Sequence, residues 1–218
     1  MKYKAIIYDL DGTLLDSRRD IVNTTNATII KLGGKPLTDD QVYACVGKGV
    51  VDLVRNALPR QDDEYLDLAR KCFDDHYHEN CLVESDLYPG GYELISELSS
   101  LGIKQAIFTN KPQNFTDKIM AGLAIEHHFH AILGAENGYP FKPAREGTDY
   151  LLGKLGSEAK ETLMVGDSIV DLQTAQNVGM DCVLMLDGYS LRDELLAFKQ
   201  DVVSFCETMA DLRRFLLG

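Results

Sequence analysis

Five short, nearly continuous apolar runs constrain this 218-residue chain more than anything else in it: Ala5–Tyr8, Gln105–Phe108, Ala131–Leu133, Leu163–Val165 and Cys182–Leu186. Runs of this length without polar alternation suit strands buried on both faces, as in a parallel sheet. The segments between the later runs have helix length and helix punctuation. Tyr92–Leu101 stops at Gly102, and Pro112–Leu123 carries a proline in its first turn. Ser168–Val178 opens on a Ser-x-x-Asp capping box (Ser168, Asp171) and stops at Gly179. Strands alternating with such helices predict βαβ units, hence an α/β fold with a doubly wound, Rossmann-like parallel sheet core.

One stretch breaks the alternation. From Ser17 to Leu82 no run reads as a strand, but helix signals recur. Ser17 and Asp20 have the spacing of a capping box, Gly33-Gly34 ends that helix, and Thr38 with Gln41 makes another box. Asp62–Glu79 carries Tyr65, Leu68, Ala69, Cys72, Phe73 and Tyr77 at three- to four-residue spacing, the stripe of an amphipathic helix. The segment is too long for a crossover. It reads as a helical cap, residues 17–82, inserted into a core domain made of residues 1–16 and 83–218.

Composition removes several function classes. The net charge of −12 offers no basic footprint for nucleic acid. No uninterrupted apolar run exceeds five residues, far below the ~20 of a membrane span. The first run is too short for a secretory signal, and five cysteines without a Cys-x-x-Cys pair argue against a disulfide framework or zinc site. A cytoplasmic protein, monomer or homodimer, is expected, with no nucleic-acid or membrane partner.

In open α/β sheets, ligands bind beyond the carboxyl ends of the strands. Four apolar runs lead directly or by one loop to polar groups there: Asp9-Leu-Asp11-Gly-Thr, Thr109-Asn110-Lys-Pro, Lys142-Pro143, and Gly166-Asp167-Ser with Asp171. Taken singly, each has a bland reading. Asp-Gly is a common turn pair, Thr109-Asn110 could end a strand, Lys142-Pro143 alone says little, and Ser168 with Asp171 could be only a cap. Together they put four carboxylates on one rim, which is costly without counter-charge. A hard cation such as Mg²⁺, helped by Lys142, is the simplest counter-ion.

Those parts suit phosphoryl transfer. Asp9 would be the nucleophile, once its charge is shielded. Asp11 would protonate the leaving oxygen and later activate water. Gly12 would let backbone N–H groups approach the phosphate, which Thr109, Asn110 and Lys142 would hold.

These motifs resemble the haloacid dehalogenase superfamily, and within it the phosphoglycolate phosphatase family. The likeness rests on Asp9-Leu-Asp11-Gly-Thr-Leu-Leu-Asp16-Ser17, Thr109-Asn-Lys-Pro, Lys142-Pro143 and Gly166-Asp167-Ser-Ile-Val-Asp171, and spans Tyr3 to Leu186. It implies a Mg²⁺-dependent phosphatase acting on a small phosphate monoester through an aspartyl-phosphate at Asp9. It further implies Asp11 as acid/base and Mg²⁺ held by Asp9, the Asp11 main-chain carbonyl and Asp167, with Asp171 a nearby acidic support. Ala144-Arg145 departs from the family, where a second proline often follows.

Other activities stay open at this level. A sugar phosphomutase of the same superfamily would place a cap histidine soon after the first motif, but none occurs between Asp11 and His76. A pyrophosphatase is compatible with the motifs. A dehalogenase proper lacks the second carboxylate that Asp11 supplies, and a phospho-accepting signalling module lacks both that residue and a helical insertion. In the cap, Val46-Gly47-Lys48-Gly49 makes Lys48 the candidate that selects the leaving group; the alternative is a helix stop and restart with a solvated lysine. The five histidines lie outside the motifs and read as surface or packing residues.

Overall fold

The structure, a computed structural model, describes residues 2–46, 50–58 and 62–218. In chain order the elements are β1 (Ala5–Tyr8), β2 (Leu15–Asp16), α1 (Arg18–Lys31), α2 (Asp39–Tyr43), α3 (Val50–Ala57), α4 (Asp63–Asn80), β3 (Asp86–Leu87), α5 (Gly91–Ser100), β4 (Lys104–Pro112) and α6 (Gln113–Gly122). They continue with β5 (Ala131–Ala135), α7 (Arg145–Leu155), β6 (Thr162–Gly166), α8 (Ile169–Val178), β7 (Asp181–Met185), α9 (Arg192–Leu196), β8 (Ser204–Cys206) and α10 (Met209–Leu217). The chain divides into two compact units: Met1–Asp16 with Leu87–Gly218, and Ser17–Asp86.

The first unit is built on a six-stranded sheet in the order β5-β4-β1-β6-β7-β8, and every pair is parallel. The period of two assigns the faces of β1. Ala5 and Ile7 join a buried cluster with Leu151 and Leu155 of α7 and Leu172 and Ala175 of α8. Tyr8 turns to the other face, where its hydroxyl donates to Gln105 Oε1, and the Gln105 amide donates in turn to the Ile95 carbonyl of α5. A parallel sheet covered on both sides explains why its strands read as unbroken apolar runs.

The strand order reverses beside β1: β4 and β5 lie on one side, β6 to β8 on the other. Tyr8 is in register with both Ile107 and Val165, so Asp9, Thr109 and Asp167 lie at the same end of three neighbouring strands, the latter two one residue further along. This is the switch point at which such sheets bind ligands.

The second unit is helical. Val22, Ile29, Val42, Phe73 and Tyr77 are among its buried apolar side chains, with the Phe73 and Tyr77 rings stacked 5.5 Å apart. Thr38 and Gln41 form the expected capping box on α2. The box expected at Ser17 and Asp20 does not form: Ser17 makes no side-chain cap bond. Asp20, 1% exposed, instead accepts from the backbone N–H groups of Val83, Glu84 and Ser85 and from the Ser85 hydroxyl. Three N–H groups and a hydroxyl converging on one carboxylate outbid the single N–H a reciprocal box would give it. Among the described residues, no helix is long and apolar enough to cross a membrane.

Candidate active site

Asp9 continues the β1 ladder, its N–H donating to the Val165 carbonyl at 2.9 Å. Its carboxylate accepts from its neighbour Leu10 N–H at 2.7 Å and from Lys142 Nζ at 2.9 Å. Lys142 is buried and pairs also with Asp171 at 2.7 Å. Burial alone would lower the Lys142 pKa, but the Asp171 and Asp9 carboxylates outweigh it and hold the ammonium above its ordinary value. Lys142 is in turn fixed by Asn110, whose side-chain oxygen accepts from the Lys142 N–H at 2.8 Å and whose amide donates to its carbonyl at 3.3 Å.

Asp167 stands beside them. One oxygen accepts from the Thr13 hydroxyl at 3.2 Å, the other from the Tyr189 N–H at 2.7 Å. A side chain on Gly12 or Gly188 would fall on this carboxylate, and Gly12 also has φ +79°, so both positions demand glycine. Carboxylate oxygens of Asp9, Asp167 and Asp171 lie within 4.8 Å of one another. Burial, together with the repulsion of neighbouring carboxylates, raises the Asp9 pKa to about 6 and that of Asp167 to about 8.

Asp171 is the best satisfied of the three. Oδ1 takes Lys142, and Oδ2 takes the N–H groups of Asp167 and Ser168 and the Ser168 hydroxyl, completing the capping box on α8. That leaves Asp9 and Asp167 as the carboxylates with room for a cation, and Asp171 as the residue that aims Lys142.

Thr109, Asn110 and Lys111 are buried because β4 does not stop at Phe108. Phe108 pairs with Leu133 and Pro112 with Ala135, so β4 takes four steps where β5 takes two. The irregularity re-aims the strand end, as bulges beside functional sites do. It turns the buried Lys111 onto Asp11, with Nζ 2.8 and 2.7 Å from the two carboxylate oxygens. The Thr109 hydroxyl accepts from the Lys111 N–H at 3.2 Å.

Among the described residues, the rim therefore holds four carboxylates (Asp9, Asp11, Asp167, Asp171) and two ammonium groups (Lys111, Lys142). Of these two cations, the sequence motifs point to Lys142 alone. When all four acids are ionised two negative charges remain, which one divalent cation would cancel; the donor set, all oxygen, fits a hard ion. Lys111 lies inside the second motif but past Phe108, where the apolar run ends, so the run alone does not point to it. Gly188 and Tyr189 follow the fifth run, to which the strand-end rule applies equally. Lys48 lies outside the described residues. No histidine joins the acidic cluster; His76 meets Thr24 at 2.9 Å in the helical unit, and the His127 and His128 rings lie 4.0 Å apart.

Comparison with known proteins agrees with this geometry. Residues 6–185 match the family model of haloacid dehalogenase-like hydrolases. The phosphoglycolate phosphatase of Aliivibrio fischeri is 33% identical over 208 residues, covering 92% of each chain. That of Rhodospirillum rubrum is 35% identical over 197 residues, covering 86% of this chain and 81% of its own. A crystal structure from Haemophilus somnus, described as a predicted phosphoglycolate phosphatase, superposes with a TM-score of 0.91 at 27% identity over 99% of both chains.

Proposed function

Because this chain belongs to the haloacid dehalogenase-like hydrolase family, we propose that it removes phosphate from a small monoester of the 2-phosphoglycolate type, in two steps through an aspartyl-phosphate on Asp9, with Mg²⁺ as cofactor. As a phosphatase of that family the chain is a phosphoric monoester hydrolase. One observation carries the mechanistic part: the Asp9 carboxylate, at a buried strand end, is shielded by the Lys142 ammonium at 2.9 Å.

Asp9 attacks phosphorus, and the ester oxygen leaves with a proton from Asp11. Asp11, now a carboxylate, takes a proton from the water that attacks the acyl phosphate, which restores Asp9. Lys142 and Thr109 hold the phosphoryl oxygens; Asn110, expected from the sequence to hold phosphate as well, is given instead the role of keeping Lys142 in place, because both polar groups of its side chain are engaged by the Lys142 backbone. Mg²⁺, held by Asp9, Asp167 and the Asp11 main-chain carbonyl, would supply charge neutralisation between these anions and the phosphate. For the leaving group, Lys48 is the residue assigned to a substrate carboxylate, as the sequence suggests.

The test is phosphate release with Mg²⁺ from 2-phosphoglycolate, pyrophosphate, hexose phosphates and nucleoside monophosphates. Preference for the small carboxylate ester, lost in Lys48→Ala but kept for an aryl phosphate, is expected. Equal turnover of all esters, or full turnover in excess chelator, would refute the substrate or the cofactor respectively.

A further inference from the structure

We infer that Lys111 is a positioning residue for Asp11: its ammonium, brought inward by the irregular end of β4, fixes the direction from which Asp11 meets the leaving oxygen. This rests on the acid/base role proposed above for Asp11. The Lys111 side chain is 4% exposed and that of Asp11 17%. A lysine so enclosed has lost hydration that only close partners replace, and here one partner is a carboxylate held by both oxygens, at 2.8 and 2.7 Å.

An aspartate on a loop after a strand would otherwise sample several rotamers; two bonds to one nitrogen select one. The grip acts on the orientation of the carboxylate, which is what an acid/base group must hold. The anchor is itself rigid. Lys111 follows buried Thr109 and Asn110, donates its N–H to the Thr109 hydroxyl, and precedes Pro112, which pairs with Ala135. The irregularity between Phe108 and Pro112 thus serves both halves of the site, setting Asn110 on Lys142 and Lys111 on Asp11.

The test compares Lys111→Met, which keeps the stem and removes the ammonium, with Lys111→Arg, which keeps the charge and a two-pronged grip. Substrates are 2-phosphoglycolate and ethyl phosphate, whose leaving groups need the acid, and p-nitrophenyl phosphate, whose leaving group does not. Misplacing a reacting group by ~1 Å costs ~10²-fold, so Lys111→Met should lower kcat on both alkyl esters by about that factor. KM should barely move, and nitrophenol release in the first turnover should stay near the parent rate. Lys111→Arg should recover most of the loss. In an Asp11→Asn background, removing Lys111 should cost little more, because coupled residues are not additive.

Equal losses on alkyl and aryl esters in the first turnover, or a full further loss in the Asp11→Asn background, would overturn the inference. So would a KM increase confined to 2-phosphoglycolate, which would make Lys111 a substrate-carboxylate contact instead. If Lys111→Met fails to fold, Lys111→Gln enters the same comparison. An Asp11→Asn enzyme that turns over ethyl phosphate normally would refute the acid/base role itself. A defect there with none in the Lys111 variants refutes this inference alone.

Discussion

Asp167 depends on neighbours that carry no charge. The Thr13 hydroxyl and the Tyr189 N–H take its two oxygens, and Gly12 and Gly188 leave it the space it occupies. Gly188→Ala should therefore push the carboxylate aside and weaken Mg²⁺ binding by about 10–100-fold, the usual cost of disturbing a ligand's support. Calorimetric titration measures this directly, and an unchanged affinity would mean that Asp167 moves without consequence. Asp11→Asn asks a different question. A p-nitrophenol burst of up to one equivalent should survive, followed by phospho-enzyme hydrolysis slowed by ~10²–10⁴-fold. The substitution also takes the charge from an ion pair with Lys111 at 2.7 Å, so its melting temperature must be read beside its kinetics. At this scale the acids are legible in the sequence because each stands within three residues after an apolar run or caps a helix start. Their neutral supports were not: no local signal says that Thr13 or Tyr189 reaches Asp167, 154 and 22 residues away.

Two stretches of identical pattern, Ser17-x-x-Asp20 and Ser168-x-x-Asp171, show what an element's sequence can and cannot carry. The second forms the reciprocal cap its spacing predicts, and uses the spare oxygen of Asp171 for Lys142. The first does not, because the amides of residues 83–85 claim Asp20 from more than 60 positions away. Local pattern proposes a cap; a distant segment of the chain decides. Ser168→Ala should cost about 1–2 kcal/mol, as lost N-caps do. Asp20→Ala strands four donors and should cost about 3 kcal/mol or more. Urea melts of the two variants rank them, and an Asp20→Ala penalty no larger than that of Ser168→Ala would show that water replaces the carboxylate at no loss. The same limit applies to strands. Runs inside the sheet are unmistakable, whereas β8, three residues long at the edge with only Cys206 fully buried, has too little apolar sequence to be seen. The end of β4 was missed for the opposite reason: Thr109, Asn110 and Lys111 are polar yet buried, as functional strand ends often are.

Across the whole molecule, the acidic rim makes folding, pH and metal binding a single equilibrium. Burial and mutual repulsion raise Asp9 to about 6 and Asp167 to about 8, against an ordinary aspartate value of about 3.9 in an unfolded chain. Between those limits the metal-free native state holds protons that the unfolded state has released. The contribution of these two groups to stability is thus complete below pH ~4 and declines as pH rises toward ~8. A divalent cation reverses the sign, since it binds the ionised pair and must displace protons to do so at low pH. At a Mg²⁺ concentration a hundred times its dissociation constant the native state gains about 2.7 kcal/mol. That gain should be reached at lower Mg²⁺ near pH 8 than near pH 5.5. Melting curves of chelator-stripped protein, with a fixed millimolar Mg²⁺ concentration added at each pH, read the difference. The expected result is a Mg²⁺-induced rise in Tm clearly larger at pH 8 than at pH 5.5, and nearly abolished in Asp167→Asn. A rise of equal size at both pH values, persisting in Asp167→Asn, would place the ion somewhere other than between Asp9 and Asp167.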